Sequence, residues 1–397
     1  MTVVPDLAVL LREDPEPMLV AALGASGAAL ESWTIDAVHA RPGAETSVAY
    51  DVVASGERIY LIASTADIDD AVRARVGAVR LENEQGAVTV WRHPADPELT
   101  GLADACVPEA LAARIAAADG EPCEVTGLEM MVLRPMRRAV LRARVTRDGV
   151  ESAVFVKVVR PRRAARLLER HAMCALAPRA RDLCDGIVLI DAAEGIPLTS
   201  HLYLPTAPEG RAPLDPALIL GVLDALPEAA TALDRRPSPT EELSRYADAA
   251  IAAGLEESRV RAVAARIAAA TREAPGPVVA THGDFHAANV FVSATRDPRP
   301  TALIDVDTLG PGYRADDLAC LLAHLLTLED FDGEGYADVP AWIDAVRAAL
   351  ADAVPADQLA ARIAAVLVSL ASGIADRSLA QRWLERAETE VASLPPG

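Results

Sequence analysis

Lysine is almost absent from this chain. All but one of its 38 lysine and arginine residues are arginine, and the single lysine is Lys157. An ammonium group is a compact point charge on a flexible stem, whereas a guanidinium is a planar fork, so the two do not contact phosphate oxygens in the same way. The one lysine therefore stands at this position either by chance or because arginine cannot serve there.

Aromatic residues, paired cysteines and long apolar runs are also scarce. Phe, Trp and Tyr make up 4% of a chain that is 51% hydrophobic, so the core must be built from Ala, Leu, Val and Ile. The five cysteines are scattered, odd in number and form no C-x-x-C pair, which favours free thiols in a reducing compartment. No uninterrupted apolar run has the length of a membrane span, and the N-terminus shows no signal-peptide pattern. These absences predict a cytoplasmic protein without a membrane partner.

The chain has fewer basic than acidic residues, 38 against 58. The formal net charge is −20, and the sequence pI is near 4.8. Such acidity argues against nucleic acid or an anionic membrane surface as the main partner. It permits a cationic small molecule but does not require one, because overall charge mainly concerns solubility. The oligomeric state is left open by the sequence.

The order of predicted elements divides the chain into three regions. Residues 1 to about 35 show helical apolar runs and strands follow them, so residues 1–118 are predicted to form an α/β region. Residues 119–190 are β-rich, and residues 191–397 are mainly helical after a short strand. No Gly/Ser-rich linker separates these regions. The predicted fold class is α+β.

A weak internal similarity links the first two regions. Arg-Pro dipeptides at residues 41–42 and 134–135 each precede a predicted two-stranded hairpin with a glycine in its turn. The similarity indicates either a duplicated hairpin or two turns of the same kind.

The densest group of chemically active side chains lies between residues 278 and 322. Two β-rich runs there flank a proline-containing turn segment and predict a hairpin. Asp284 precedes its first strand and Asp305 follows its second. Asp284 and Asn289 have the D-x-x-x-x-N spacing of a kinase catalytic loop, in which the Asp accepts a proton from the attacking hydroxyl and the Asn supplies an oxygen to Mg²⁺. Asp305 follows an apolar run, as the second metal-binding Asp of that chemistry does.

At these residues the sequence resembles the aminoglycoside phosphotransferase family, the small-molecule branch of the protein-kinase-like fold. The match comprises the motifs H-G-D-x-H-x-x-N, I-D-x-D and D-L-A, here at residues 282–289, 304–307 and 317–319. The resemblance implies a bilobal protein-kinase-like fold with a β-rich N-lobe at 119–190 and a helical C-lobe at 191–397, with residues 1–118 as an N-terminal cap.

The same resemblance implies an enzyme that moves the γ-phosphoryl group of ATP to a hydroxyl of a small molecule. GTP is open as an alternative donor. By what the resemblance implies, Asp284 is the catalytic base, Asn289 and Asp305 hold Mg²⁺, and Asp317 braces the catalytic loop.

Other residues of these motifs allow two roles each. Asp307, two residues beyond Asp305, is predicted to point the same way along a strand and to bind a second ion or the substrate. His286 either contacts phosphate or, like His282, orders the loop through a hydrogen bond. Asp317 sits where a helix should begin, so N-capping accounts for it as well as bracing does.

Lys157 ends the motif V-F-V-K, which looks like the V-A-I-K strand of kinases. Its ammonium group would then reach the α- and β-phosphates of the nucleotide. Glu169, the only acid on the following helix, is the candidate ion-pair partner of Lys157, with an ordinary surface position as the alternative. The sequence departs from the family pattern at residues 135–138, because a Gly-rich turn is expected there and no glycine is present. Arg137 and Arg138 are therefore candidate phosphate ligands, unless this is a solvated basic turn.

Two other classes of protein fit part of the sequence. His282, Asp284 and His286 alternate and could place three metal ligands on one face of a strand, as in a metal-dependent hydrolase. That assignment leaves the rest of the motif unexplained. A catalytically inactive kinase-like nucleotide-binding module is the other rival, but such a module has no need of the complete set of motif residues.

The acceptor is the part of the chemistry that the sequence determines least. Five carboxylates and no basic residue lie between positions 329 and 338, namely Glu329, Asp330, Asp332, Glu334 and Asp338. Some of them, with Asp307, are predicted to form an anionic wall for a cationic acceptor such as an amino sugar or aminoglycoside. A solvated acidic loop is the alternative, with a neutral sugar as acceptor.

Overall fold

The chain folds into two compact units. A computed structural model describes residues 11, 13–24, 27–39, 45–83, 86–210, 214–350, 354–392 and 394. The first unit lies within residues 1–168 and 180–192, and the second comprises residues 169–179 and the chain from residue 193 onward. The predicted border at residue 118 falls inside the first unit and stays a prediction.

The first unit begins with a helix and a five-stranded antiparallel sheet. In chain order its elements are α1 (Glu16–Gly24), β1 (Leu30–His39), β2 (Ser47–Ala54), β3 (Glu57–Ser64), α2 (Asp70–Val76), β4 (Val79–Asn83) and β5 (Gly86–Arg92). The strand order is β1-β2-β3-β5-β4. The helix predicted up to about residue 35 is wrong beyond Gly24, because Leu30 begins an edge strand. Residues 1–10 of that predicted helix lie outside the described residues.

Two short helices lead from this sheet to a second one. The elements are α3 (Leu102–Ala105), α4 (Pro108–Asp119), β6 (Glu124–Arg134), β7 (Arg138–Arg147), β8 (Val150–Val159), α5 (Pro161–Met173), β9 (Ala180–Asp182) and β10 (Ile187–Asp191). The strand order is β6-β7-β8-β10-β9. Both sheets therefore share one topology, with a helix after the third strand of each. The similar hairpins seen in the sequence, β2–β3 and β7–β8, are the centre of this repeated arrangement.

Alternation along β8 gives its two faces different roles. Val154, Val156 and Val158 are buried in a core that includes Leu111 and Ile115 of α4. Since strand side chains alternate, Lys157 projects from the opposite face. β8 is the central strand of its sheet, so Lys157 has a neighbouring strand on each side.

The second unit is mainly helical, as predicted. Its helices are α6 (Leu198–Leu202), α7 (Ala217–Asp224), α8 (Leu243–Ala252), α9 (Glu257–Ala270), α10 (Arg314–Asp332), α11 (Val339–Leu350), α12 (Ala356–Gly373) and α13 (Arg377–Ala392), with a 3₁₀-helix at Glu228–Ala232. Among the described residues, α12 alone is long and apolar enough to cross a membrane by length and composition, yet 67% of it is buried inside the structure. A core helix passes the same test, and α12 is the centre of the core of this unit.

Short strands set the predicted catalytic loop between two fixed points. The loop begins after β12 (Val279–Thr281), which pairs with β15 (Gly310–Gly312). It ends at β13 (Val290–Val292), which pairs with β14 (Pro300–Leu303) and with β11 (Ile196–Pro197). The predicted hairpin is confirmed. A 3₁₀-helix at Val306–Thr308 follows β14 and leads to β15.

Candidate active site

The carboxylate of Asp317 holds the start of the predicted catalytic loop, residues 282–289. It lies in the first turns of α10 and is 1% exposed. One of its oxygens accepts a hydrogen bond from the backbone N–H of His282 and the other accepts one from Gly283, both at 2.8 Å. Burial raises the pKa of Asp317 to about 7, and the two N–H donors act against that rise. Its side chain is therefore bonded to the loop, and α10 begins after Tyr313 without a side-chain cap.

Gly283 is required by the path of the loop. Its φ of +78° lies in the left-handed region, and a Cβ atom there would come within 3.0 Å of the carbonyl oxygen and the hydroxyl of Thr308. The Thr308 hydroxyl donates to the carbonyl of His282 at 2.7 Å, and Arg236 donates to the carbonyl of Gly283 at 3.3 Å. Four hydrogen bonds from three side chains, Asp317, Thr308 and Arg236, thus fix the peptide units that precede Asp284.

His282 connects the loop to the end of the hairpin. Its ring is fully buried, with Nε2 at 3.0 Å from the carbonyl of Ile304 and Nδ1 accepting from the backbone N–H of Asp284 at 3.3 Å. Burial lowers the pKa of His282. A neutral ring with its proton on Nε2 satisfies both contacts, since an imidazolium has no acceptor for the Asp284 N–H. His282 is thus a loop-ordering residue in this structure.

Asn289 is buried at the far end of the loop, and its amide orientation follows from its partners. Nδ2 donates to the backbone carbonyl of Asp284 at 2.9 Å and lies 3.1 Å from Nε2 of His286. Both partners accept hydrogen bonds, so the NH₂ group faces the loop and the Oδ1 oxygen faces away from it. An amide oxygen held in this way is a suitable ligand for Mg²⁺.

Asp305 lies directly after the residue that pairs with Asn289. The N–H of Ile304 donates to the carbonyl of Asn289 at 2.9 Å, so Asn289 and Asp305 meet at the same end of the hairpin. Asp305 has a φ of +56°, a left-handed conformation that costs about 1–3 kcal/mol in a residue other than glycine. Such a cost is typical of functional positions.

The prediction that Asp307 lies on a strand with Asp305 is wrong. β14 ends at Leu303, and Asp307 lies in the 3₁₀-helix Val306–Thr308. Two-residue alternation therefore does not relate the directions of these two side chains. A metal or substrate role for Asp307 stays a prediction.

Asp284 is half-buried and follows the fixed peptide units of His282 and Gly283. Its backbone N–H and carbonyl are both bonded within the loop. Within the described ranges, no group donates a hydrogen bond to its carboxylate. The main chain is thus held while the carboxylate stays available to a ligand.

His286 packs on a residue that the sequence did not single out. Its ring stacks on that of His324 of α10, with centroids 4.4 Å apart and planes 25° apart. Burial lowers the pKa of both rings, and the pKa of His324 falls to about 4. Both rings are therefore neutral at neutral pH. His286 joins Asn289 to α10, which accords with the loop-ordering role, while a contact with phosphate stays a prediction.

In the first unit, Lys157 and Arg138 share one face of the second sheet. Lys157 is 6% exposed and lies opposite Val140 of β7 and Val188 of β10. Arg138 lies two residues before Val140, and side chains two apart on a strand point the same way. Diagonal neighbours of this kind are about 7–8 Å apart. Nε of Arg138 is buried and has no hydrogen-bond partner in the part of the chain that the structure describes.

The positions of Arg137 and Glu169 neither support nor contradict their predicted roles. Arg137 is half-exposed in the turn between β6 and β7, beside Arg138. Glu169 is exposed on α5 and belongs to the second unit, whereas Lys157 belongs to the first. The predicted ion pair between Lys157 and Glu169 stays a prediction.

The acidic run after residue 328 is not the open wall that was expected. Asp330 binds Arg382, Arg386 and the indole N–H of Trp383, all on α13. Asp332 accepts from the Tyr203 hydroxyl at 2.7 Å and from the Gly335 N–H at 2.9 Å. These two carboxylates anchor neighbouring segments, which corrects the expectation for them.

Glu329 and Glu334, by contrast, are exposed. Glu329 lies 3.6 Å from Arg386, which is long for an ion pair at the surface. A substrate role for these two residues stays a prediction.

The metal-dependent hydrolase finds no support in the geometry. Both ring nitrogens of His282 already have partners, so they are not available as ligands. Within the described residues, no group of three or more His, Cys, Asp and Glu side chains could hold a metal ion. Oxygen ligands from Asn289 and Asp305 fit Mg²⁺ instead, because Mg²⁺ takes few protein carboxylates and completes its shell with water and phosphate.

Three contributors to the site were missed by sequence reasoning. Thr308, Arg236 and His324 touch the loop from segments that are distant in sequence or follow no periodic pattern. Thr308 offers the one local signal, since it lies three residues after Asp305. Arg236 and His324 become visible only when the helices are placed.

Comparisons with known proteins address the class of this fold. The sequence model of the phosphotransferase enzyme family matches residues 137–363, which is more than half of the chain. No curated protein matches the chain. This match, with a β-rich first unit and a helical second unit, confirms the predicted kinase-like α+β fold.

Solved structures of small-molecule phosphotransferases are also similar. A thermostable mutant of an aminoglycoside phosphotransferase, in its apo form, is 14% identical over 71% of this chain and 98% of that one, with a TM-score of 0.48. A macrolide 2'-phosphotransferase from Brachybacterium faecium is 21% identical over 73% and 98%, with a TM-score of 0.42. A choline kinase from Streptococcus pneumoniae is 15% identical over 72% and 98%, with a TM-score of 0.47.

Proposed function

This chain belongs to the phosphotransferase enzyme family and is a small-molecule kinase, and we propose that it transfers the γ-phosphoryl group of ATP, with Mg²⁺, to a hydroxyl of an amino sugar, an aminoglycoside or another sugar. The observation that carries the proposal is the loop from His282 to Asn289. Its backbone is held at both ends, while the carboxylate of Asp284 and the amide oxygen of Asn289 are left for ligands.

Asp284 is the proposed catalytic base. The acceptor hydroxyl attacks the γ-phosphorus, the bond from that phosphorus to the bridging oxygen breaks, and ADP leaves with the bond electrons. Asp284 orients the hydroxyl and accepts its proton. Asp317, Thr308 and His282 act by holding the peptide units that carry Asp284, so that little reorganisation is needed when the acceptor binds.

Two sets of residues are proposed to neutralise charge on the phosphates. Asn289 and Asp305 would hold Mg²⁺, which supplies positive charge to the phosphate oxygens when it is bound. Lys157 and Arg138 project from one sheet face and would contact phosphate oxygens directly. Glu169 is the proposed partner that orients Lys157. GTP is open as a donor, because adenine recognition through backbone groups leaves little trace in side chains.

The nature of the acceptor and the cellular setting are proposed from the charge of the chain and from its cysteines. A net charge of −20 favours a cationic acceptor over an anionic one. Glu329, Glu334 and Asp307 are the remaining candidates for pairing with its ammonium groups. Free cysteines accord with a cytoplasmic enzyme.

The test is a panel of hydroxylated small molecules assayed for both ADP and a phosphate ester, for example by ³¹P NMR. Amino sugars and their neutral counterparts should be compared at low and high ionic strength. We expect one phosphate ester per ADP, and a KM for amino sugars that rises with salt. ADP released only as a result of ATP hydrolysis would contradict the proposed transfer. Equal use of both sugar types without a salt effect would favour a neutral acceptor.

A further inference from the structure

The turn between β6 and β7 is fixed at an unusual residue. The N–H of Arg137 donates to the carbonyl of Arg134 at 3.0 Å and closes a four-residue turn with Pro135 in its second position. The third position, Met136, has a φ of +59°. A turn of this kind favours glycine or asparagine there, because a side chain strains the left-handed conformation. Methionine therefore stands where the backbone conformation favours glycine, so contacts with other residues must stabilise it.

Contacts with the N-terminal region, the part of the chain before residue 119, hold Met136 in place. The side chain is 4% exposed and is buried in a cluster with Ala49, Ile62, Ile68 and Trp91, which come from the first sheet and from the segment between β3 and α2. The backbone of Met136 is bonded on both sides as well. Its N–H donates to Oδ2 of Asp96 at 2.9 Å, and its carbonyl accepts from Nε of Arg160 at 2.9 Å.

Asp96 links this turn to the segment that leaves the first sheet. It is 2% exposed, and its second oxygen, Oδ1, accepts from the N–H groups of Glu98 at 2.8 Å and Leu99 at 2.9 Å. Arg160 closes the ring of contacts, since it also pairs with Glu98 at 3.1 Å. One buried carboxylate therefore ties the turn to residues 98 and 99 through three backbone donors.

The turn leads directly into the two arginines of the proposed phosphate site. Arg138 begins β7 two residues after Met136, shares a sheet face with Lys157, and has a buried Nε without a partner among the described residues. An anionic oxygen would satisfy that nitrogen. Arg138 is the first residue of β7, so its backbone continues directly from the turn, and it pairs with Arg134 of β6 and Val159 of β8.

We propose that the N-terminal region is a brace for the nucleotide-binding turn, with Asp96 as a positioning residue and Met136 as its anchor. The inference rests on the proposed function and adds a role for the region that precedes the family match. A glycine-rich turn covers phosphates by its flexibility. This turn instead presents Arg137 and Arg138 from a fixed backbone, which reduces the ordering cost when a nucleotide binds.

The test uses Asp96→Asn in the full-length protein. The asparagine oxygen keeps the bonds to Glu98 and Leu99, while its NH₂ group faces the N–H of Met136 and breaks only that bond. Asp67→Asn, at an exposed position of the same region, is the matched control. We expect Asp96→Asn to raise the KM for ATP at least fivefold, with kcat and the acceptor KM changed less than twofold, and to speed hydrogen exchange at the Met136 amide.

Met136→Gly provides an independent variant, because it removes the anchor side chain and relieves the strain at φ +59°. The same selective rise in the KM for ATP is expected. A fall in kcat with an unchanged KM in both variants would show a merely structural contact and overturn the brace. If the wild-type protein binds no nucleotide, the proposed function itself fails. If it does bind and both variants bind equally well, only the brace fails.

Discussion

One oxygen of the Asp317 carboxylate accepts a hydrogen bond from the backbone N–H of Gly283 at 2.8 Å, across 34 residues of sequence. The other oxygen accepts one from the N–H of His282, so a single buried side chain fixes the orientation of two successive peptide units. Asp284, the proposed base, follows immediately. The position of its carboxylate is therefore coupled to α10 through the backbone of the loop.

Asp317→Asn should weaken both folding and catalysis. The amide places an NH₂ group opposite one of two N–H donors, so one buried hydrogen bond is lost and its donor is left unsatisfied, at a cost of about 1–3 kcal/mol. The free energy of unfolding from urea denaturation measures the first effect, and kcat measures the second. Asp344→Asn, on the exposed side of α11, is the control. Equal free energies of unfolding for the two variants would contradict the bracing role of Asp317.

The pH dependence of stability should carry the signature of Asp317. Burial raises its pKa to about 7 in the folded protein, from 3.8 when unfolded. Between these values the folded state binds more protons than the unfolded state, so this group's contribution to stability falls as pH rises, by at most about 1.4 kcal/mol per pH unit. The buried histidines act in the opposite direction, but they do so equally in the Asn variant. The difference in unfolding free energy between wild type and Asp317→Asn should therefore decrease from pH 4 to pH 7. A constant or growing difference would refute this assignment.

Lys157→Arg should not be a neutral change. The ammonium group occupies a buried place on the central strand, where a longer planar guanidinium cannot reproduce its point contact. We expect kcat/KM for ATP to fall about tenfold or more, which corresponds to about 1.4 kcal/mol of transition-state stabilisation. Arg142→Lys, at an exposed site on β7, makes the reverse exchange as a control. Full activity of Lys157→Arg would show that the single lysine stands there by chance.

Asp305→Asn should raise the requirement for Mg²⁺. The change keeps an oxygen ligand but removes one negative charge, so more metal is needed for half-maximal activity. Titration of kcat against Mg²⁺ at saturating ATP gives this concentration. The exposed Asp297→Asn serves as control, because it lies in the turn of the same hairpin. An unchanged Mg²⁺ requirement would remove Asp305 from the metal site.

The sequence predicted the hairpin and the elements around the loop because local signals agree there. Strand-forming runs, a proline-containing turn and the helix start near Asp317 lie within about forty residues. The strand predicted through Asp307 failed since the chain leaves β14 at Leu303 and turns into a 3₁₀-helix, for which two-residue alternation has no meaning. The prediction that Asp330 belongs to an open acidic wall failed for another reason, because its partners on α13 lie more than fifty residues away in the sequence.

Contacts between segments that are distant in the sequence could not be predicted either. Two hairpins looked alike, yet the shared topology of both sheets depends on pairings such as β3 with β5 that no local pattern specifies. The anchor of Met136 depends on a buried carboxylate forty residues earlier in the chain. The absence of glycine from residues 135–138 was the only sign of this anchor in the sequence.

The role of Asp284 is tested most directly by a single-turnover comparison of the wild-type enzyme, Asp284→Asn and the control Asp297→Asn, with excess enzyme over labelled ATP and an accepted sugar. We expect Asp284→Asn to bind ATP normally but to form the phosphate ester about 10²–10⁴-fold more slowly, the range for loss of a general base. Asp297→Asn should match the wild type. Transfer by Asp284→Asn within a few-fold of the wild-type rate would contradict the assignment of Asp284 as the base, and with it the mechanism proposed for this site.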